Sequence, residues 1–155
     1  MSEDNKGGSE GNDDTHAAVI EQMLPEIARR LFTVSPESPL AELPNAQLKV
    51  CSSLLNGWRT MSQISEEMHI SVSAVTQIAD RLEKAGMVCR FAESDAAHGD
   101  RRVRHLALTP HGESLMLSRR DERRERVAAA LSHLSPGEQE AVRGALDLLL
   151  AASRK

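Results

Sequence analysis

The chain has 155 residues, of which 40% are apolar and 27% charged, and Phe32, Trp58 and Phe91 are its only aromatic residues. That length suits one domain, or one domain with a tail, whose core is built from Leu, Ala, Ile, Val and Met rather than rings. A formal net charge of −4 excludes a surface that attracts polyanions as a whole.

The excess acid sits at one end. Residues 1–14 carry five acids and one base, so the rest of the chain is balanced, and affinity for a polyanion must come from local patches such as Arg101, Arg102 and Arg104. The same 14 residues have three glycines and no apolar residue after Met1, which reads as a disordered acidic tail. No run of 18 apolar residues and no signal-peptide pattern is present, which points to a cytoplasmic protein without a membrane partner. In that setting Cys51 and Cys89 read as reduced thiols on apolar faces rather than a disulfide.

From Ala17 to Phe32, Ile20, Met23, Leu24, Ile27 and Leu31 recur at a spacing of three to four, which predicts a helix. Pro25 either kinks it or marks where its ordered part begins. Ser35-Pro36-Glu37-Ser38-Pro39 is predicted to be a loop. Ala46 to Leu55 is a second helix with Leu48, Cys51, Leu54 and Leu55 on its core face. Asn56-Gly57 ends it, and Trp58-Arg59 suits a short strand.

Thr60-Met61-Ser62-Gln63 matches the capping box, in which a hydroxyl and a Gln three residues later satisfy each other's backbone N–H groups. Ile64 and Met68 then form an apolar pair on a short helix, and His69-Ile70-Ser71 leaves room only for a tight turn. Ser71 is the N-cap of the next helix and Gly86 follows its end. On that helix Val75, Ile78 and Leu82 form one apolar stripe, opposite Ser73, Thr76, Gln77, Asp80, Arg81 and Lys84. Two short helices joined this way, the second polar outside, form a helix-turn-helix pattern. Met87 to Ala92 and Val103 to Leu108 are strand-compatible runs around a polar segment, which predicts a hairpin with a long tip. The fold class is therefore mostly α with a small β-hairpin wing.

This stretch, from Val75-Thr76-Gln77-Ile78-Ala79-Asp80-Arg81-Leu82-Glu83-Lys84-Ala85-Gly86-Met87-Val88 through Asp100-Arg101-Arg102 to Leu106-Ala107-Leu108-Thr109-Pro110-His111-Gly112, resembles the MarR (multiple antibiotic resistance regulator) type of bacterial transcription factors. The resemblance implies a recognition helix, a wing with an Asp-x-Arg motif, and the start of a long helix. His69 stands where that family often has Gly, and Gln77 where Arg is frequent. It also implies a homodimeric repressor of double-stranded DNA, relieved by a small-molecule effector. Ser71, Ser73, Ala74, Thr76, Gln77 and Arg81 would approach the major groove and Arg101 and Arg102 the minor groove. Asp100 would hold the wing through Arg81 or Arg102. Family effectors are aromatic acids or phenols, for which Trp58 is the one ring placed to line a pocket, although its composition-based reading is a core residue.

Thr109-Pro110 pairs a cap residue with proline at the first helical position, starting a helix to about His133 whose mixed charges suit a solvated face. Ser135-Pro136-Gly137-Glu138 is a second capping box. The last helix carries Val142, Leu146, Leu148, Leu149 and Leu150, more apolar surface than a terminal helix of a small monomer needs, and a partner chain is the simplest cover. The domain plan is thus a tail over 1–14 and a single domain over 15–155, with the winged helix-turn-helix at 44–109 and dimerisation helices at 15–34 and 110–155. None of the six histidines falls in a metal-ligand signature, and no nucleophile elbow, P-loop or paired acid–base site is present, so neither a cofactor nor an enzyme is expected. A winged-helix module that binds protein instead of DNA is the alternative; it calls for an apolar patch on the recognition helix.

Overall fold

The computed structural model describes residues 10–94 and 102–154. Six α-helices and three strands occur among them: α1 (Glu10–Phe32), α2 (Asn45–Ser53), β1 (Arg59–Thr60), α3 (Met61–Met68), α4 (Val72–Lys84), β2 (Val88–Ser94), β3 (Arg102–Leu108), α5 (Pro110–Leu131) and α6 (Pro136–Ala152). The chain divides into two compact units, one formed by residues 34–122 and the other by the two terminal segments.

The central unit holds the core. Leu40, Leu48, Val50, Cys51, Leu54, Ile64, Val75, Ala79, Leu82, Met87, Val88, Leu106 and Met116 are its buried apolar residues, and every one lies between 34 and 122. Removing one of the larger of them, such as Ile64 or Leu82, would cost about 2–5 kcal/mol. Leu40 and Val50 join this core although neither lies on a face that the spacing picks out: Leu40 is buried from within the turns after Pro39.

Local signals set the helix ends. In α3 the Gln63 N–H donates to Thr60 Oγ1 at 3.1 Å and the Thr60 N–H donates to Gln63 Oε1 at 2.9 Å, which completes the capping box. The turn to α4 passes through His69 in the left-handed region (φ 54°), the conformation that favours Gly at this place. Ser71 caps α4, its Oγ accepting from the Ala74 N–H at 3.1 Å, and Gly86 leaves the helix at φ 68°. β3 is the middle strand of an antiparallel sheet ordered β1-β3-β2, in which Phe91 faces His105 and Val88 faces Leu108.

The terminal unit contains α1 and α6. α1 begins at Glu10, so residues 10–14 are helical and the disordered tail expected from composition over 1–14 does not extend that far; residues 1–9 lie outside the described residues. The helix continues through Pro25. A second capping box starts α6, with Pro136 at its first position. No residue of α6 is buried, and Leu148 is 74% exposed.

The two cysteines differ. Cys51 is buried in α2, and burial pushes its thiol up from 9.0 to about 11, with Arg119 only partly opposing the shift. Cys89 is exposed, which corrects its expected place on an apolar face: in β2 it shares parity with Phe91 and turns outward, while Val88 turns into the core. Alkylation of the native protein at mild pH should therefore modify Cys89 and spare Cys51 until the chain is unfolded, as mass spectrometry would show. Because the folded state holds the Cys51 proton more tightly than the unfolded chain, this thiol's contribution to stability is lost as pH rises from 9.0 towards 11. Equal labelling of both thiols in the native state would contradict the assignment.

Candidate nucleic-acid interface

α4 is divided sharply by polarity. Val75, Ala79 and Leu82 are fully buried and Ile78 packs against the same core, which confirms the predicted apolar stripe. On the other side Ser73, Thr76, Gln77, Asp80, Arg81 and Lys84 are exposed. Ala74 is half-buried at the edge, and Ser71 is engaged as the cap. Thr76 Oγ1 donates to the Val72 carbonyl at 2.9 Å, so its hydroxyl is tied to its own helix. Gln77 and Arg81 lie one turn apart and both face outward, two long side chains with donors suited to base edges or phosphates. Val72, at the first turn, is the helix's exposed large apolar residue; no apolar patch extends from it along α4.

The hairpin follows α4 directly. Its strands run as far as the pair Ser94 and Arg102, so Arg102 opens β3. Asp100 and Arg101 lie outside the described residues, as does the hydrogen bond that Asp100 is expected to accept from Arg81 or Arg102. The wing–helix tie among the described residues is a different one. Arg90 of β2 donates from Nη2 to Asp80 Oδ1 and from Nη1 to Glu83 Oε2, each at 2.7 Å, and from Nη2 to the Thr76 carbonyl at 3.1 Å. A signal for it exists in the sequence. Arg90 has the same parity as Val88 in an otherwise apolar run, so it must turn inward and find partners there.

Trp58 is not a core residue. It is 47% exposed, with its ring edge-on to His105 at 4.2 Å and to Phe91 at 6.4 Å, and the latter two stack at 5.2 Å. The strand register places Phe91 opposite His105 on the outward face of the sheet, and Trp58, just before β1, joins them there. Among the described residues no group of three or more His, Cys, Asp or Glu side chains is arranged to hold a metal ion, and no helix is long and apolar enough to cross a membrane.

Comparison with known proteins agrees with this geometry. A model of the MarR family matches residues 56–103, which run from just after α2 through the helix-turn-helix into β3. The chain is 42% identical over 69 residues to the HTH-type transcriptional repressor MdtR of Bacillus subtilis, covering 44% of this chain and 42% of MdtR. It is 34% identical over 107 residues to the HTH-type transcriptional regulator YfiV of the same organism, covering 68% of this chain and 64% of YfiV. The chain thus spans less than two thirds of the length of these curated relatives. In fold it is similar to Streptococcus pneumoniae FabT, solved in complex with DNA, with a TM-score of 0.69, 19% identity, and coverage of 95% of this chain and 98% of that one. The match to the MarR family model thus falls within the segment that folds as the winged helix-turn-helix.

Proposed function

We propose that the protein is a homodimeric, sequence-specific DNA-binding regulator acting in the cytoplasm, a repressor whose grip on its operator is relieved by a small molecule. The observation that carries the reading is the outer face of α4: exposed, polar, capped at its N-terminus, and backed by the buried Val75, Ala79 and Leu82, which fix its orientation. The polar character of that face, with no apolar patch on it, favours DNA over the protein-binding alternative. MdtR is a repressor by name, and FabT was solved on DNA; both support the reading by analogy. In it Ser71, Ser73, Ala74, Thr76, Gln77 and Arg81 enter the major groove, and Arg101 and Arg102 reach the minor groove with Asp100 holding the wing. Trp58, exposed beside Phe91 and His105, is the residue assigned to an effector pocket.

A gel shift on the DNA upstream of the protein's own gene, at two salt concentrations, tests this directly. Operator binding that weakens with salt and exceeds binding to random DNA is the expected outcome; no preference at either salt would refute it. Within it, Gln77 is the reader, because its amide can pair with adenine N6 and N7 in the major groove. Gln77→Ala is expected to cost ~1–3 kcal/mol on the operator and much less on random DNA. Arg101→Ala and Arg102→Ala should weaken both DNAs more evenly, lowering the salt slope by about 1 for each phosphate no longer neutralised. A silent Gln77→Ala beside wing variants that lose discrimination would reverse the two roles.

A further inference from the structure

α4 carries two carboxylates, Asp80 and Glu83, on exposed positions of the helix assigned to DNA. Asp80 lies one turn beyond Thr76, among the side chains that would face the groove, where an uncompensated acid repels the phosphate backbone. Thr76, Asp80 and Glu83 fall at i, i+4 and i+7, a single line along the helix, and the Arg90 guanidinium spans that line from β2. Its side chain is 23% exposed, against 52% for Asp80 and 44% for Glu83. Ion pairs with partners this open add little to folding stability. What the arrangement does accomplish is to join the wing strand to the middle of α4 and to offset acid on the DNA side of the helix.

We propose that Arg90 is a positioning residue for DNA recognition, holding the wing in register with α4 and masking Asp80 and Glu83 from the phosphates. The inference rests on the DNA-binding reading above. The planar fork matters as well as the charge: two of its nitrogens serve three acceptors on one side of a helix, a geometry that a lysine ammonium does not reproduce.

The test measures affinity for the operator and for random DNA at ~50 and ~200 mM salt, for the full chain and three variants: Arg90→Met, Arg90→Lys, and Arg90→Met combined with Asp80→Asn and Glu83→Gln. Arg90→Met should weaken operator binding about tenfold at the lower salt, the scale of one charged hydrogen-bonded interaction, and less at the higher salt, where the bared acids are screened. Its melting temperature should stay within about 3 °C of the parent, as for an exposed ion pair. Neutralising both acids in the Arg90→Met background should restore most of the missing affinity without restoring the operator-to-random ratio. Arg90→Lys should keep random-DNA affinity and lose part of that ratio. Operator binding by Arg90→Met equal to the parent's overturns the inference alone. No recovery on neutralising the acids also overturns it, since Arg90 would then act by touching DNA itself. Failure of the parent to prefer any DNA refutes the underlying reading instead.

Discussion

Gly112→Ala is expected to destabilise the protein by roughly 3 kcal/mol, the upper range for forcing extra volume into a packed site. Alanine in a helix interior ordinarily stabilises by about 1 kcal/mol relative to glycine, so the sign of the change is itself diagnostic. Here a Cβ at residue 112 would stand 2.1 Å from the Met87 carbonyl oxygen and 2.9 Å from its carbon, and both belong to backbone that cannot rotate aside. That backbone is held from several directions. The Met87 N–H donates to the Leu82 carbonyl at 2.9 Å, and its carbonyl accepts from the Thr109 N–H at 3.0 Å. Thr109 Oγ1 donates to the Gly86 carbonyl at 2.6 Å and accepts from the Gly112 N–H at 3.0 Å. The first turn of α5 is thus bonded to the chain leaving α4, and a methyl group at 112 pries them apart. A melting temperature lower by about 5–10 °C is expected. Gly137→Ala is the control, since a Cβ there meets nothing within 4 Å. An unchanged or higher melting temperature for Gly112→Ala would show that the close approach does not persist in solution.

Removal of Val142 to Lys155 is expected to leave a chain that aggregates and loses operator binding by roughly 100-fold or more, the scale on which two linked half-site contacts exceed one. The reason lies in what α6 and α1 leave uncovered. Val142, Leu146, Leu148, Leu149 and Leu150 are exposed on α6, and Val19, Ile20, Met23, Leu24, Ile27 and Phe32 on α1. At roughly 1 kcal/mol for each side chain partly removed from water, the α6 set alone is worth on the order of 5 kcal/mol per protomer when covered. We propose that a second copy covers both sets across a two-fold axis, which also sets operator half-sites about 34 Å apart, or a multiple of that. Leu146→Glu with Leu150→Glu separates dimerisation from folding, because both positions lie one turn apart on the same exposed face. Sedimentation should show this variant as a folded monomer with weakened DNA binding. A truncated chain that remains soluble, folded and fully able to bind the operator would sink the proposal.

Much of this protein is determined by signals no longer than one helical turn. The capping boxes at Thr60–Gln63 and Ser135–Glu138, the Ser71 cap, the tight turn at His69-Ile70-Ser71, Gly86 after α4 and Thr109-Pro110 before α5 are all legible in the chain and all present in the fold. Each acts between residues at most four apart, so sequence alone contains both partners. The core-facing stripe Val75, Ile78 and Leu82 is legible for the same reason, because helical spacing fixes which side chains share a face.

The tertiary structure decided what depends on partners distant in sequence. Strand pairing chose which parity of β2 turns inward, and so placed Cys89 and Phe91 outside, Val88 in the core and Arg90 against α4. Trp58 stands half in solvent because the rings it meets, Phe91 and His105, come from strands that reach it through the sheet, 33 to 47 residues further along the chain. The parity of Arg90 with Val88 marks it as needing partners, but which acceptors it meets was not legible, because they lie 7, 10 and 14 residues away on another element. A short-range pattern specifies where a helix begins and which face is apolar; only the pairing of strands and the docking of helices specifies what each polar side chain meets.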